Sequence, residues 1–222
     1  MLPDLLRQMG FETAPPARHR PRLGVSACLL GHPVRHDGGH RHEPLLHREL
    51  GPLVRFVEVC PEVAIGLPVP RPPIQVVALG GEHRVRGVAR PDDDYTEALS
   101  AQARHLDEPL DGFVFKARSP SCGWGTTPVH GPDGGVRGLG DGAFAATLAA
   151  RFPALPLCNE SDLQDPSILT AFAVRLFCHH QWRHSPHPEN ALDTLRRRSE
   201  GLDEPLLSGT RRFIEHLAAP AR

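Results

Sequence analysis

Apolar residues in this chain gather in short runs that stop abruptly at small or polar residues. Leu23-Gly24-Val25-Ser26-Ala27 runs into Cys28, and Val54-Arg55-Phe56-Val57-Glu58-Val59 runs into Cys60. Phe113-Val114-Phe115-Lys116-Ala117-Arg118 runs into Ser119-Pro120-Ser121-Cys122-Gly123. Runs of this kind predict buried strands. Ile74-Gln75-Val76-Val77-Ala78 predicts another, with Gly80-Gly81 as a turn and residues 84–88 as its hairpin mate. Leu155-Pro156-Leu157 predicts a short edge strand, because proline cannot donate to a ladder.

Helical spacing appears at Tyr95, Leu99, Ala103 and Leu106, then over residues 142–152, and from about 166 to Trp182. Weaker helical segments fall around Ala191–Arg198 and Leu206–Leu217, and a short helix is expected at about 43–50. The four prolines after residue 67 make 68–73 a stiff, extended loop, and the glycine-rich stretch 123–141 is expected to be a loop. Strands separated by helices predict a single α/β domain, with a mainly parallel sheet, helices on both faces, and three cysteines at strand carboxyl ends. That edge is where open α/β sheets place their ligands. Residues 1–21 read as an N-terminal arm, 22–182 as the core domain and 183–222 as a helical C-terminal extension.

A chain of 222 residues fits one domain, and its 24 Pro and 21 Gly imply many turns. No apolar run approaches the roughly 18 residues of a membrane helix, and the N-terminus lacks the apolar core of a signal peptide, so no membrane association and a cytoplasmic location are expected. The formal net charge of -1 gives no push toward nucleic acid.

Five cysteines, an odd number, do not make a disulfide framework; in a reducing compartment they point to metal binding or catalysis. The separations are 32 residues from Cys28 to Cys60 and 62 from Cys60 to Cys122, so the fold itself must assemble any shared site. Three thiolates would leave one position of a tetrahedral or cubane site open. Cys178, beside Phe177 in the long helix, reads as a core residue. Cys158 also ends a possible strand, and the pattern alone leaves it between ligand and core. A three-thiolate zinc hydrolase and a non-catalytic iron–sulfur binding or sensing protein stand beside an enzyme built on a cluster.

Ser26-Ala27-Cys28-Leu29-Leu30-Gly31, Val34-Arg35-His36-Asp37-Gly38, Val59-Cys60-Pro61-Glu62 with Gly66-Leu67-Pro68-Val69-Pro70-Arg71, and Ser119-Pro120-Ser121-Cys122-Gly123 resemble the thiouracil/thiouridine desulfurase (TudS) family. The resemblance covers about residues 22–182 in unbroken order. It implies a 4Fe–4S cluster held by Cys28, Cys60 and Cys122, with one iron not ligated by the protein, and it removes Cys158 from the ligand set. The implied activity is non-redox desulfidation of a thiolated pyrimidine, of thiouracil or thiouridine type, to its oxo form with release of sulfide. His36 stands where the family usually has Tyr. Arg71-Pro72-Pro73-Ile74 is similar to long-form relatives with an additional C-terminal domain, and the expectation is a long-form-like core without that domain.

Glu62, two positions after Cys60, is the candidate general acid/base, with a pKa expected to rise on burial; the alternative is a surface ion pair with Arg71 or Lys116. Asp37 is a second candidate, or else a turn former. Ser119 is expected to hydrogen-bond a cluster sulfur or the substrate, or to cap the next turn. His32, His36, His40, His42 and His47 read as a solvated loop. His179, His180, His184 and His187 mark a helix end, where cationic histidine favours the dipole. Arg196–Arg198 and Arg211-Arg212 read as solvated faces. Lys116 is the only lysine and the arginines are scattered, so a small thiolated base or nucleoside is expected ahead of folded tRNA.

Overall fold

The computed structural model describes residues 2–219. In chain order its elements are α1 (Leu2–Gln8), β1 (Arg22–Ser26), β2 (Arg55–Val59), α2 (Pro61–Ala64), β3 (Ile74–Leu79), β4 (Glu82–Gly87), α3 (Thr96–Arg104) and β5 (Gly112–Phe115). There follow β6 (Thr127–His130), β7 (Val136–Gly140), α4 (Ala143–Arg151), β8 (Leu157–Asn159), α5 (Pro166–His184), α6 (Pro188–Ser199) and α7 (Leu206–Ala218).

A four-stranded parallel sheet runs in the order β2-β1-β5-β8. Its strands alternate faces with the period of two that the pleat imposes. Leu23, Val25 and Val114 join a large apolar cluster with Leu6 of α1, Phe172, Leu176 and Phe177 of α5, Leu195 of α6 and Ile214 of α7. Phe113 and Phe115 face the other way, into a cluster with Ala103 of α3 and with Phe144 and Leu148 of α4. The sheet therefore carries helices on both faces. Gly24 makes room between β1 and β5: a Cβ there would sit 2.4 Å from the Phe113 ring. Cys158 and Cys178 are buried members of the large cluster.

The glycine-rich stretch 123–141 is not the loop its composition suggests. It supplies β6 and β7, which join the β3–β4 hairpin in a second four-stranded sheet, ordered β4-β3-β6-β7. The pattern is hard to see because Pro128 forfeits a ladder donor inside a central strand, and glycines replace side chains along β7. Packing explains one of them: a Cβ on Gly140 would meet Val129 and His83 at 3.0 Å. Val129 still points inward, against Val76, Val85, Leu99 and Ala143.

At the end of the parallel sheet where the strands begin, Asp111 fastens β1 to α5. Its fully buried carboxylate accepts the backbone N–H of Arg22 at 2.8 Å, faces Nδ1 of His180 at 2.9 Å, and accepts Nε of Arg183 at 2.9 Å. Burial alone would raise its pKa, but the adjoining His179 and His180 imidazoles override it and hold the carboxyl well below the usual range. The basic end of α5 thus meets a specific buried acid, beyond any interaction with the helix dipole. Among the described residues, no helix is long and apolar enough to cross a membrane.

Candidate active site

The opposite, carboxyl edge of the parallel sheet opens into a cavity of about 550 Å³. Cys28, Cys60 and Cys122 all line it, together with Glu62, Arg71, Lys116 and Ser119. Cys28 lies in a tight turn, Ala27–Leu30, directly after β1, closed by Gly31 at φ 98°. Cys60 directly follows β2 and immediately precedes Pro61, whose fixed φ starts α2. Cys122 comes by a longer route, on a loop beyond β5 that includes Arg118 at φ 64°.

Glycines press that loop into place. A Cβ on Gly123 would fall 2.2 Å from Oγ1 of Thr127, and one on Gly142 would fall 2.4 Å from the backbone of Ser121. The first turn of α4 has no side-chain cap. Its orphan N–H groups go to the loop instead: Ala143 donates to the carbonyl of Pro120 at 3.2 Å, and Phe144 and Ala145 to that of Ser121 at 3.1 and 3.2 Å.

Burial pushes all three thiols up. Cys28 rises to about 11, opposed by the nearby Arg35 and raised further by Cys60. Cys60 is raised by burial, and Cys122 lies well above its ordinary value for the same reason, with a hydrogen bond from Ser26 opposing. Thiolates packed here would repel one another, so the trio suits a cationic group that takes up their charge. Among the described residues the three Sγ atoms are not gathered within 4.8 Å of one another. One tetrahedral ion with metal–sulfur bonds of about 2.3 Å would draw them to about 3.8 Å. Three soft sulfur donors are the ligand chemistry that iron–sulfur clusters and zinc both take.

Glu62 is clamped from two sides. Arg71 donates Nε to Oε2 at 2.8 Å, and the fully buried hydroxyl of Ser121 donates to Oε1 at 2.7 Å. Arg71 also donates to the carbonyls of Pro68 at 3.1 Å and Val34 at 2.9 Å, and its backbone N–H to that of His36 at 2.9 Å. The ion pair with Arg71 that the sequence left open is thus formed, buried rather than at the surface, and Ser121 adds a second donor. The hydroxyl of Ser119 accepts the N–H groups of Ser121 at 3.3 Å and Cys122 at 3.1 Å, so it shapes the cysteine loop while facing the cavity. Asp37 lies outside the cavity lining; its carboxylate accepts the N–H of Gly39 at 3.0 Å and closes a turn near Arg35. His36 lines the cavity, whereas His32 pairs with Glu58 at 2.7 Å, and His40, His42 and His47 form a chain of ring contacts ending on Phe56.

The bonds that Ser121 and Ser26 make, and the burial of the Glu62–Arg71 pair, do not emerge from the sequence. Ser26 accepts the N–H of Lys116 at 3.0 Å and touches Cys122, linking two strand ends to that cysteine. A local signal existed for Ser121 alone: a small polar residue held between proline and cysteine.

The 2-thiouracil desulfurase family model matches residues 23–160, a span that includes Cys28, Cys60, Cys122 and Glu62. The chain belongs to the 2-thiouracil desulfurase family. A relative in this family range is the uncharacterized protein YbbK of Bacillus subtilis (strain 168), 29% identical over 150 residues, which span 64% of this chain and 97% of YbbK. Among solved structures the chain is similar to the [4Fe-4S]-dependent thiouracil desulfidase TudS, with a TM-score of 0.51 and 31% identity over 70% of this chain and 99% of that one. The parallel sheet that carries the three cysteines thus belongs to a desulfurase fold.

Proposed function

We propose that this desulfurase-family enzyme is an iron–sulfur-dependent, non-redox desulfidase that converts a small thiolated pyrimidine to its oxo form. The observation that carries the proposal is the convergence, in one cavity, of three thiols from three chain segments with a carboxylate fixed by two donors. Cys28, Cys60 and Cys122 would hold a 4Fe–4S cluster, leaving one iron without a protein ligand. When bound, such a cluster supplies a Lewis acid with affinity for the soft thiocarbonyl sulfur.

The chain's own residues supply the rest. Glu62, anchored by Arg71 and Ser121, removes a proton from a water as its oxygen bonds to the thiocarbonyl carbon. The C–S bond then breaks and sulfur leaves as sulfide, with the protons of that water shared between leaving group and solvent. The products are a carbonyl and hydrogen sulfide, and no electrons are transferred. Ser119, on the cavity wall, orients the ring or the water. A 550 Å³ cavity is of small-molecule size and favours a base or nucleoside over folded tRNA. The family fold and the lack of a membrane-crossing helix among the described residues support action in the cytoplasm.

The deciding experiment is anaerobic reconstitution followed by iron and sulfide analysis and assay with 2-thiouracil. About four irons per chain, with uracil and sulfide released in equal amounts and no reductant added, are expected. A loaded protein that leaves 2-thiouracil intact defeats the proposal.

A further inference from the structure

Lys116 is the only lysine among the 25 Lys and Arg residues of the chain. It follows β5 directly and lines the cysteine cavity. Its backbone N–H is held by Ser26, and its ammonium donates to the carbonyl of Ala117 at 2.9 Å and to the carboxylate of Glu160. The other oxygen of that carboxylate accepts the N–H of Ala117, so Glu160 braces both ends of the lysine's anchorage. An ammonium has three donors. Two are spoken for, and among the described residues the third has no protein partner.

Lys116 and Glu62 line the same cavity, with Arg35 and Arg71 beside them; Arg71 is already bound to Glu62 at 2.8 Å. Arg35 already sits against Asp37 at 3.4 Å. The cavity therefore divides its polar groups between a point donor, Lys116, and a fixed carboxylate, Glu62. An arginine would spread its donors over a planar fork, while a lysine presents one compact donor to one acceptor. A uracil-type thiolactam fits this division, since it offers a ring N–H to an acceptor and a second ring carbonyl to a donor.

We propose that Lys116 is a specificity-determining residue whose third N–H donates to the ring carbonyl that the reaction leaves untouched. It rests on the desulfidase function proposed above and selects substrates that carry a second carbonyl. A hydrogen bond to a charged group gives discrimination of about 10- to 100-fold.

The test uses cluster-loaded wild type and Lys116→Met. Calorimetry compares binding of uracil with that of pyrimidin-2-one, which lacks the second carbonyl, and kinetics compare 2-thiouracil with 2-thiopyrimidine. Wild type should favour the compounds with two carbonyl-type groups by about 10- to 100-fold. Lys116→Met should keep its iron and lose that preference, chiefly through KM for 2-thiouracil, while 2-thiopyrimidine is handled as before. Equal binding of uracil and pyrimidin-2-one by wild type overturns the proposal whatever the variant does. So does a preference retained by Lys116→Met, or loss of iron from it, which would make Lys116 a support for the cluster. Absence of sulfide release from 2-thiouracil by wild type counts against the desulfidase function instead, and leaves the binding comparison to judge Lys116.

Discussion

Arg71 and Glu62 pair at 2.8 Å with side chains only 3% and 13% exposed, so the carboxylate beside Cys60 is held by the proline-rich loop. The same guanidinium grips the carbonyl of Val34 downstream of Cys28. Removing it leaves a buried carboxylate without its counter-charge, which costs about 3–5 kcal/mol for pairs of this kind. Arg71→Met should therefore lower Tm by about 10 °C in a chain of this size and reduce turnover. Thermal denaturation beside activity measures both, and a variant as stable as wild type would show that the pair carries no structural weight.

Cys28→Ser, Cys60→Ser and Cys122→Ser are each expected to lose the cluster, because their thiols line one cavity. Cys158→Ser and Cys178→Ser should retain it, since both sulfurs lie in the apolar cluster around α5. Iron analysis after anaerobic reconstitution decides the matter. Iron loss from Cys158→Ser equal to that of the first three would break the three-ligand assignment.

Glu62→Gln keeps the side chain's shape and its bond from Ser121 but removes the base. It should retain iron while turnover falls about 10²- to 10⁴-fold, the usual contribution of a general acid–base group. Asp37→Asn, altered outside the cavity, should lose far less. Reversed magnitudes would transfer the proton-handling role to Asp37.

Asp111 makes folding sensitive to acid. Its folded carboxyl lies below the ordinary value. The stability it contributes is thus fully present above about pH 4, the unfolded value, and is lost as pH falls below it toward the folded value. Urea midpoints measured from pH 7 to pH 3 should drop steeply in wild type. Asp111→Asn should start lower and follow a shallower course. Parallel curves would mean that other carboxylates govern the acid limb.

Comparison of kcat/KM for 2-thiouracil, 4-thiouridine and 4-thiouridine-containing tRNA at two salt concentrations tests the size of the substrate. The small compounds should be preferred, with little salt dependence. A tRNA preference that collapses with salt would show phosphate contacts and direct attention to Arg196–Arg198.

The parallel sheet was legible because each of its strands is an apolar run with a sharp end, and buried parallel strands need little else. Cys28 and Cys60 were legible for the same reason, whereas Cys122 stands on a loop beyond β5 and not at the strand end the pattern suggested. What escaped was structure made by absence. The β3–β4 hairpin of the second sheet was legible, but its other half was hidden because β6 contains Pro128 and β7 is threaded with glycine, so neither shows strand-like periodicity. The Glu62–Arg71 pair was among the options the sequence offered, but its burial and the second donor were not, because Ser121 reaches Glu62 from a segment 59 residues away and no local pattern encodes such a meeting. Asp37 shows the converse: it stands next to a recognisable motif, yet its carboxylate is spent on a turn.

The start of α4 has one more consequence. Because Phe144 and Ala145 donate to Ser121 rather than to a capping side chain, their amide protons are sealed only while the cysteine loop is in place. Their exchange with deuterium is therefore a gauge of how firmly the loop is held, readable without substrate and without turnover. A ligand that tightens the loop should slow exchange at these two amides ahead of the rest of the helix, and a chain that has lost its grip on Cys122 should exchange them fastest.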